Sequence, residues 1–90
     1  MLITCNPAKR NWTLENRGLD FFDAAQVFSG RTLTLLDDRH DYGEARYQTY
    51  GELAGRVVMI VWTPRGSARH VISMRHCHGK EERKVRDRLR

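Results

Sequence analysis

The sequence has no long apolar run and few prolines or cysteines. Its longest unbroken apolar stretch is Val57 to Trp62, six residues, whereas a membrane-spanning helix needs roughly 20. The N-terminal region has no apolar stretch suited to a secretory signal. We therefore expect a cytoplasmic protein without a membrane partner. With 2 Pro and 40% hydrophobic residues, the composition is typical of a folded chain rather than a disordered one.

The length and the cysteines limit what the chain can build. Its 90 residues fit one domain, 1–90, because a typical domain has about 100–150 residues. A chain this small buries only roughly 60% of its unfolded surface, which favours an open surface site over a deep cavity. The two cysteines, Cys5 and Cys77, allow one disulfide at most, and two reduced thiols fit a cytoplasmic protein better.

The net charge of +5 lies in the last quarter of the chain. Residues 1–68 carry eight basic and eight acidic side chains, and residues 69–90 carry eight basic and three acidic ones. A basic stripe attracts phosphates by Coulomb forces and counterion release. It is equally typical of a solvated helix face or of a surface for an acidic protein, so charge alone leaves these alternatives open.

The hydrophobic pattern predicts helices first and strands afterwards. Asn6 and Pro7 are typical of a helix start, and Gly18 is expected to end that helix. A second helix is predicted over 21–28 from apolar residues at positions i, i+3, i+4 and i+7. From Arg31 onward the period is two, which predicts strands.

The order of elements predicts the fold class. Four strands are expected, over 32–35, 46–50, 56–63 and 69–75, followed by a basic helix from about Lys80. Helices segregated from a run of strands favour an α+β two-layer domain. The expected domain has two N-terminal helices, a four-stranded antiparallel sheet, a short N-terminal strand and a basic C-terminal helix.

Metal and cofactor motifs are missing from the histidine-rich segment. His76, Cys77 and His78 are adjacent, whereas structural zinc ligands are paired two to four residues apart. The chain also has no nucleophile elbow and no glycine-rich phosphate loop. We predict neither a metal nor a cofactor.

Basic and titratable side chains collect at the ends of the predicted strands. Arg46 lies on one strand, Arg69 and Arg75 bracket the last one, and His70 and His76 lie beside them. Metal-free RNA cleavage needs a general base, cations for the developing negative charge and an acid. Arginine is a permanent bidentate cation, and histidine titrates near neutrality. The alternative is that these residues only solvate the strand ends.

The acidic loop before Arg46 has two interpretations. It is either a solvated turn, or His40 and Glu44 reach Arg46 and fix its guanidinium.

Short motifs, none specific by itself, follow one another along the chain. In order they are Asn6-Pro7-Ala8-Lys9, Asn16-Arg17-Gly18-Leu19-Asp20-Phe21, His40-x-x-Gly43-Glu44-x-Arg46 and Ile72-Ser73-Met74-Arg75. In this order they resemble the BrnT toxin family, the toxin half of bacterial type II toxin–antitoxin pairs, with a RelE-like ribonuclease fold.

The resemblance implies a metal-independent endoribonuclease that cleaves mRNA and inhibits translation and growth. It also implies neutralisation by a BrnA-like ribbon-helix-helix antitoxin, with DNA contacted only through that antitoxin. Arg46 and Arg75 would hold phosphate, and His40 and Glu44 would organise them. The candidate catalytic residues are Arg46, Arg75, His40, Glu44 and His76, and the candidate RNA-binding residues are Lys9, Arg69, Lys80, Arg83 and Lys84.

Some positions depart from the family pattern. Asn6 replaces the usual Asp, Arg17 replaces a common His, and His76-Cys77 replaces a more typical Lys/Arg-Ala. The last change is compatible with acid/base duty for His76. A second hypothesis, from another functional class, is a non-catalytic basic module that binds an acidic protein or nucleic acid.

Overall fold

The computed structural model, which describes residues 1–90, contains three α-helices and five strands. In chain order they are β1 (Leu2–Cys5), α1 (Pro7–Arg17), α2 (Ala24–Ser29), β2 (Leu33–Leu36), β3 (Tyr47–Leu53), β4 (Arg56–Arg65), β5 (Ala68–His76) and α3 (Gly79–Leu89). The predicted α+β class is confirmed. No helix has the length and apolar character required to cross a membrane.

The five strands form one mixed sheet in the order β1-β5-β4-β3-β2. Strands β2 to β5 are antiparallel neighbours, as predicted. The N-terminal strand β1, however, joins the same sheet and runs parallel to β5, with Leu2 opposite Ala68. The sheet is therefore five-stranded and mixed, because β1 takes the edge of a strand 66 residues away, a pairing that no local pattern reveals.

Strand β4 divides the interior into two cores. Its alternate residues point to opposite sides of the sheet, so Val58 and Ile60 join one core and Val57, Met59 and Val61 join the other. Helix α2 packs on the first core through Ala24 and Val27, and α1 lies against β5. Helix α3 packs on the second core through Val85. Helices cover both faces, and the predicted two-layer arrangement is wrong: there are three layers.

The N-terminal helices begin and end at the predicted residues, with one exception. The Asn6 side chain accepts hydrogen bonds from the Ala8 and Lys9 amides, and Gly18 ends α1 in the left-handed conformation with φ 68°. The predicted helix over 21–28 is split. Its first residues form a 3-10 turn, Phe21–Asp23, whose entry is capped by Asp20, and α2 follows.

Helix α2 approaches β3 most closely at Gly51. A Cβ atom at this position would lie 2.7 Å from Val27 Cγ1 and 3.3 Å from the Arg31 carbonyl oxygen. The glycine therefore sets the distance between the helix and the sheet.

We predict that Gly51→Ala lowers the free energy of unfolding by about 1–3 kcal/mol, because the added methyl overpacks the core. Urea denaturation measures the change. The control is Gly30→Ala at the end of α2, where a Cβ meets only the Val27 carbonyl oxygen at 3.7 Å and φ is −96°. Equal midpoints for the two variants would contradict the prediction.

Candidate functional site

Helix α3 covers only part of its sheet face. It contacts β2, β3 and β4, near Tyr50 and Met59. On the rest, the β4 side chains are buried and the side chains beside them on β3 and β5 are half-buried, which leaves a shallow open surface. The register places three rows of residues across β3, β4 and β5 on this face. They are Tyr50–Met59–Arg75, Gln48–Val61–Ser73 and, extending the Tyr47–Trp62 pairing by one residue, Arg46–Thr63–His70.

Arg46 and Arg75 thus lie on the same face, at the two ends of this surface. Their Cα atoms are two strands apart across the sheet and four residues apart along it, a distance of about 16 Å. From the sequence we expect both guanidinium groups at one spot. The structure instead gives each arginine its own carboxylate and its own cluster.

The Arg46 cluster is built on the loop between β2 and β3. The guanidinium lies over the Tyr42 ring at 4.0 Å, and its Nε donates to Glu44 Oε2 at 3.3 Å. Arg65 approaches the other oxygen of Glu44 at 3.7 Å. His40 contacts the Tyr42 ring edge-on, with centroids 5.7 Å apart. Glu44 therefore orients Arg46 directly, whereas His40 acts on it only through Tyr42.

The Arg75 cluster lies at the first turn of α3. The Arg75 guanidinium donates two hydrogen bonds to Glu81, at 2.7 and 2.9 Å. This bidentate pair holds the pKa of Glu81 below its ordinary value and raises that of Arg75. It also joins the end of β5 to α3, so a phosphate arriving at Arg75 has to compete with Glu81.

His70 stands in the same cross-strand row as Arg46. Its Nδ1 lies 2.9 Å from Thr4 Oγ1. Burial lowers the pKa of His70 from 6.5, and the positive charges of Arg65 and Lys9 lower it further against the opposing effect of Glu44. The lowered pKa favours the neutral imidazole at neutral pH, the form that can accept a proton.

Two predicted residues lie away from this surface. His76 pairs with Val58 of the first core, so it lies on the face opposite Arg75. Arg69 lies over the Phe28 and Trp62 rings, at 4.3 and 4.8 Å, also on that opposite face. Neither residue is brought together with Arg46 or Arg75.

The remaining predicted RNA contacts are on helices. Lys9 is exposed in the first turn of α1 and contributes to the field at His70. On α3, Lys80 and Lys84 line a groove beside β2, and Arg83 is exposed. They lie around the open surface rather than on it.

Arg65 is a site residue that the sequence does not single out, whereas His70 belongs to the predicted group at the strand ends but not to the candidate catalytic residues. Arg65 ends β4 and reaches Glu44, and the Arg65-Gly66 turn signal marks that strand end in the sequence. His70 joins the site through strand register, which no spacing in the sequence reveals.

The cysteines and the potential metal ligands do not form a reactive site. Both cysteines are free, and burial raises the pKa of the Cys77 thiol to about 12, so it stays protonated. No group of three or more His, Cys, Asp or Glu side chains is placed to hold a metal ion. The chemistry available here is that of guanidinium and imidazole groups.

We predict that thermal stability falls as the pH drops below about 6.5. The pKa values of His70 and His76 are both lowered by burial, and His76 Nδ1 is buried without a hydrogen-bond partner. In the window just below 6.5 the unfolded chain therefore binds more protons than the folded one, and the free energy of unfolding rises with pH.

Thermal melts across this pH window measure the slope in the native chain and in His76→Asn. The substitution removes one of the two titrating imidazoles, so we expect a shallower slope. A slope as steep in the variant as in the native chain would argue against the assignment.

A family model described as ribonuclease toxin, BrnT, of type II toxin-antitoxin system matches residues 6–81. The match runs from the N-cap of α1 into the first turn of α3, and so includes both arginine clusters. A comparison with curated proteins found no match. Because the matched segment is most of the chain, the protein belongs to the BrnT family of ribonuclease toxins of type II toxin–antitoxin systems.

Proposed function

We propose that the protein is a metal-independent endoribonuclease that cleaves mRNA and so inhibits translation and growth. One observation carries the proposal: a histidine with a lowered pKa, His70, and an arginine, Arg46, stand in one cross-strand row of the sheet, on either side of Thr63. Membership of a ribonuclease toxin family supports the same activity. We also propose that the fold is RelE-like, as the resemblance implies.

Single-stranded RNA lies across the three rows of the open face. Arg46 and Arg65 hold the phosphate to be cleaved, and Glu44 keeps both guanidinium groups in place. Arg75 is held by Glu81 at the other end of this face, so it binds a different phosphate of the RNA after releasing Glu81. Basic side chains around the face, Lys9, Lys80, Arg83 and Lys84, attract the RNA backbone.

The reaction is an attack of the ribose 2′-oxygen on the adjacent phosphorus. His70 takes the 2′-hydroxyl proton, the bond from phosphorus to the 5′-oxygen breaks, and the departing oxygen takes a proton from solvent. The products are a 2′,3′-cyclic phosphate and a 5′-hydroxyl end. Arg46 stabilises the negative charge that builds on the phosphoryl oxygens. His40 organises Arg46 through Tyr42, and His76 has no part in the reaction.

We predict that Arg46→Ala lowers kcat by about 10²–10³, the usual loss when one charge-stabilising donor is removed. Cleavage of a fluorescent single-stranded RNA in the presence of EDTA measures it. The matched control is Arg56→Ala, which removes the same charge at the start of β4 and leaves the rate unchanged. Activity that chelation abolishes, or that survives in an Arg46→Ala/Arg75→Ala double variant, would refute the mechanism.

Membership of the family supports an antitoxin partner. A type II toxin has an antitoxin, which we propose to be a BrnA-like ribbon-helix-helix protein. It neutralises the toxin in the cytoplasm and carries it to DNA, which the toxin itself does not contact.

A second candidate function is a non-catalytic basic module that binds an acidic protein or nucleic acid. The observation in its favour is that Arg46 and Arg75 already pair with Glu44 and Glu81. Expression without the antitoxin separates the two functions. Growth arrest with shortened mRNA supports the nuclease, and harmless accumulation supports the binding module.

A further inference from the structure

We propose that an acidic, extended segment of the antitoxin binds the groove between β2 and α3 and extends the sheet as a sixth strand. The inference deepens the proposed function, because it names the surface through which the toxin meets its partner. It depends on the edge of β2, the groove beside it and the charge of α3.

Strand β2 is an edge strand without the usual protection against pairing. It reads Leu33-Thr34-Leu35-Leu36, with neither a charge nor a proline, the features that natural edges use to prevent association. Leu35 is 48% exposed and Leu36 is 59% exposed. An apolar open edge of this kind is a template for another strand.

The backbone of β2 offers hydrogen bonds to such a strand. The Asp37 amide donates to the Arg46 carbonyl oxygen. Since bonded pairs alternate in an antiparallel ladder, Leu35 and Leu33 also bond to β3. The amide and carbonyl groups of Thr34 and Leu36 therefore point away from the sheet.

The groove beside this edge has a volume of about 760 Å³. Its apolar wall is formed by Leu33, Leu35, Tyr50 and Val85. Alternate side chains of an added strand point to one face of the sheet, so every second residue of the segment would enter this groove. Apolar side chains at these positions fit its wall.

The opposite wall of the groove is basic. Lys80, Lys84 and Arg88 line it at helical positions i, i+4 and i+8 of α3. The ion pairs of α3 involve other residues, Glu81, Glu82 and Arg86. Of the two acidic residues in the lining, Glu81 is paired with Arg75. Three cations therefore face one unpaired carboxylate, that of Asp87, and the wall attracts carboxylates.

This charge decides between the possible occupants. A second copy of the chain, pairing β2 with β2, would bring two basic α3 helices together and is disfavoured by repulsion. RNA matches the charge but has no backbone that continues a β-ladder or an apolar side that fills the groove. A protein segment that alternates apolar and acidic residues matches the edge, the apolar wall and the basic wall.

Hydrogen exchange of the full chain, alone and bound to co-expressed cognate antitoxin, tests the proposal. We expect the Thr34 and Leu36 amides to exchange at least about tenfold more slowly in the complex, because a new strand accepts their hydrogen bonds. Protection confined to other parts of the toxin would overturn the proposal. The same protection in the isolated chain at high concentration, or with a polyuridine oligonucleotide, would assign the edge to self-association or to RNA.

Affinity measurements with two matched variants provide a second test. Lys84→Glu in the groove wall should raise the Kd for the antitoxin by roughly tenfold or more. Arg83→Glu, the same charge change one residue earlier on α3, should leave it nearly unchanged. Equal effects of both variants would show general charge attraction and overturn the groove assignment.

These measurements are independent of nuclease activity. An inactive toxin whose Thr34 and Leu36 become protected would refute the proposed function and keep this inference. An active toxin whose antitoxin protects another surface would do the reverse.

Discussion

The structure depends on one strand that is buried on both faces. Val57, Val58 and Ile60 of β4 are each 0% exposed, and full burial of such a side chain contributes about 1.5–3 kcal/mol. Neighbouring strands on both sides satisfy the backbone of β4. Because consecutive residues serve different cores, β4 ties the α1–α2 layer to the α3 layer and fixes the rows on which the site is built.

A single irregularity in this register sets the composition of the site. The pairing of β4 with β5 shifts between Val61 and Trp62, with Val61 opposite Ser73 and Trp62 opposite Val71. The extra residue reverses the in–out phase of β5 beyond this point. His70 therefore shares a face with Arg46, and Val71 enters the core. Without the shift, the sheet would bury the imidazole on the side of α1 and α2.

The sequence predicts those parts of the molecule whose causes are local. The cap at Asn6 and the helix end at Gly18 depend on neighbouring residues, so they are found where expected. The four antiparallel strands depend on the period and are present, although β3 continues to Leu53, beyond its expected end at Tyr50. The place of β1 beside β5 depends on a partner across most of the chain. The third layer follows from Val57, Met59 and Val61, whose apolar side chains require cover on a second face.

The same distinction between local and long-range causes applies to the site. The contact of Glu44 with Arg46 spans two residues and is readable from the sequence. The pairing of Arg75 with Glu81 needs the position of α3, and the recruitment of His70 needs a strand irregularity that leaves no mark in composition. His76 adjoins Arg75 in sequence but points to the other face because side chains alternate along a strand.

The parallel pairing of β1 with β5 has a consequence for biosynthesis. The first strand to emerge from the ribosome is one of the last to find its partner, since Leu2 to Cys5 pair with residues 68–71. Contacts so distant along the chain form late in folding. The nascent polypeptide therefore cannot complete its sheet until nearly all of it has been made.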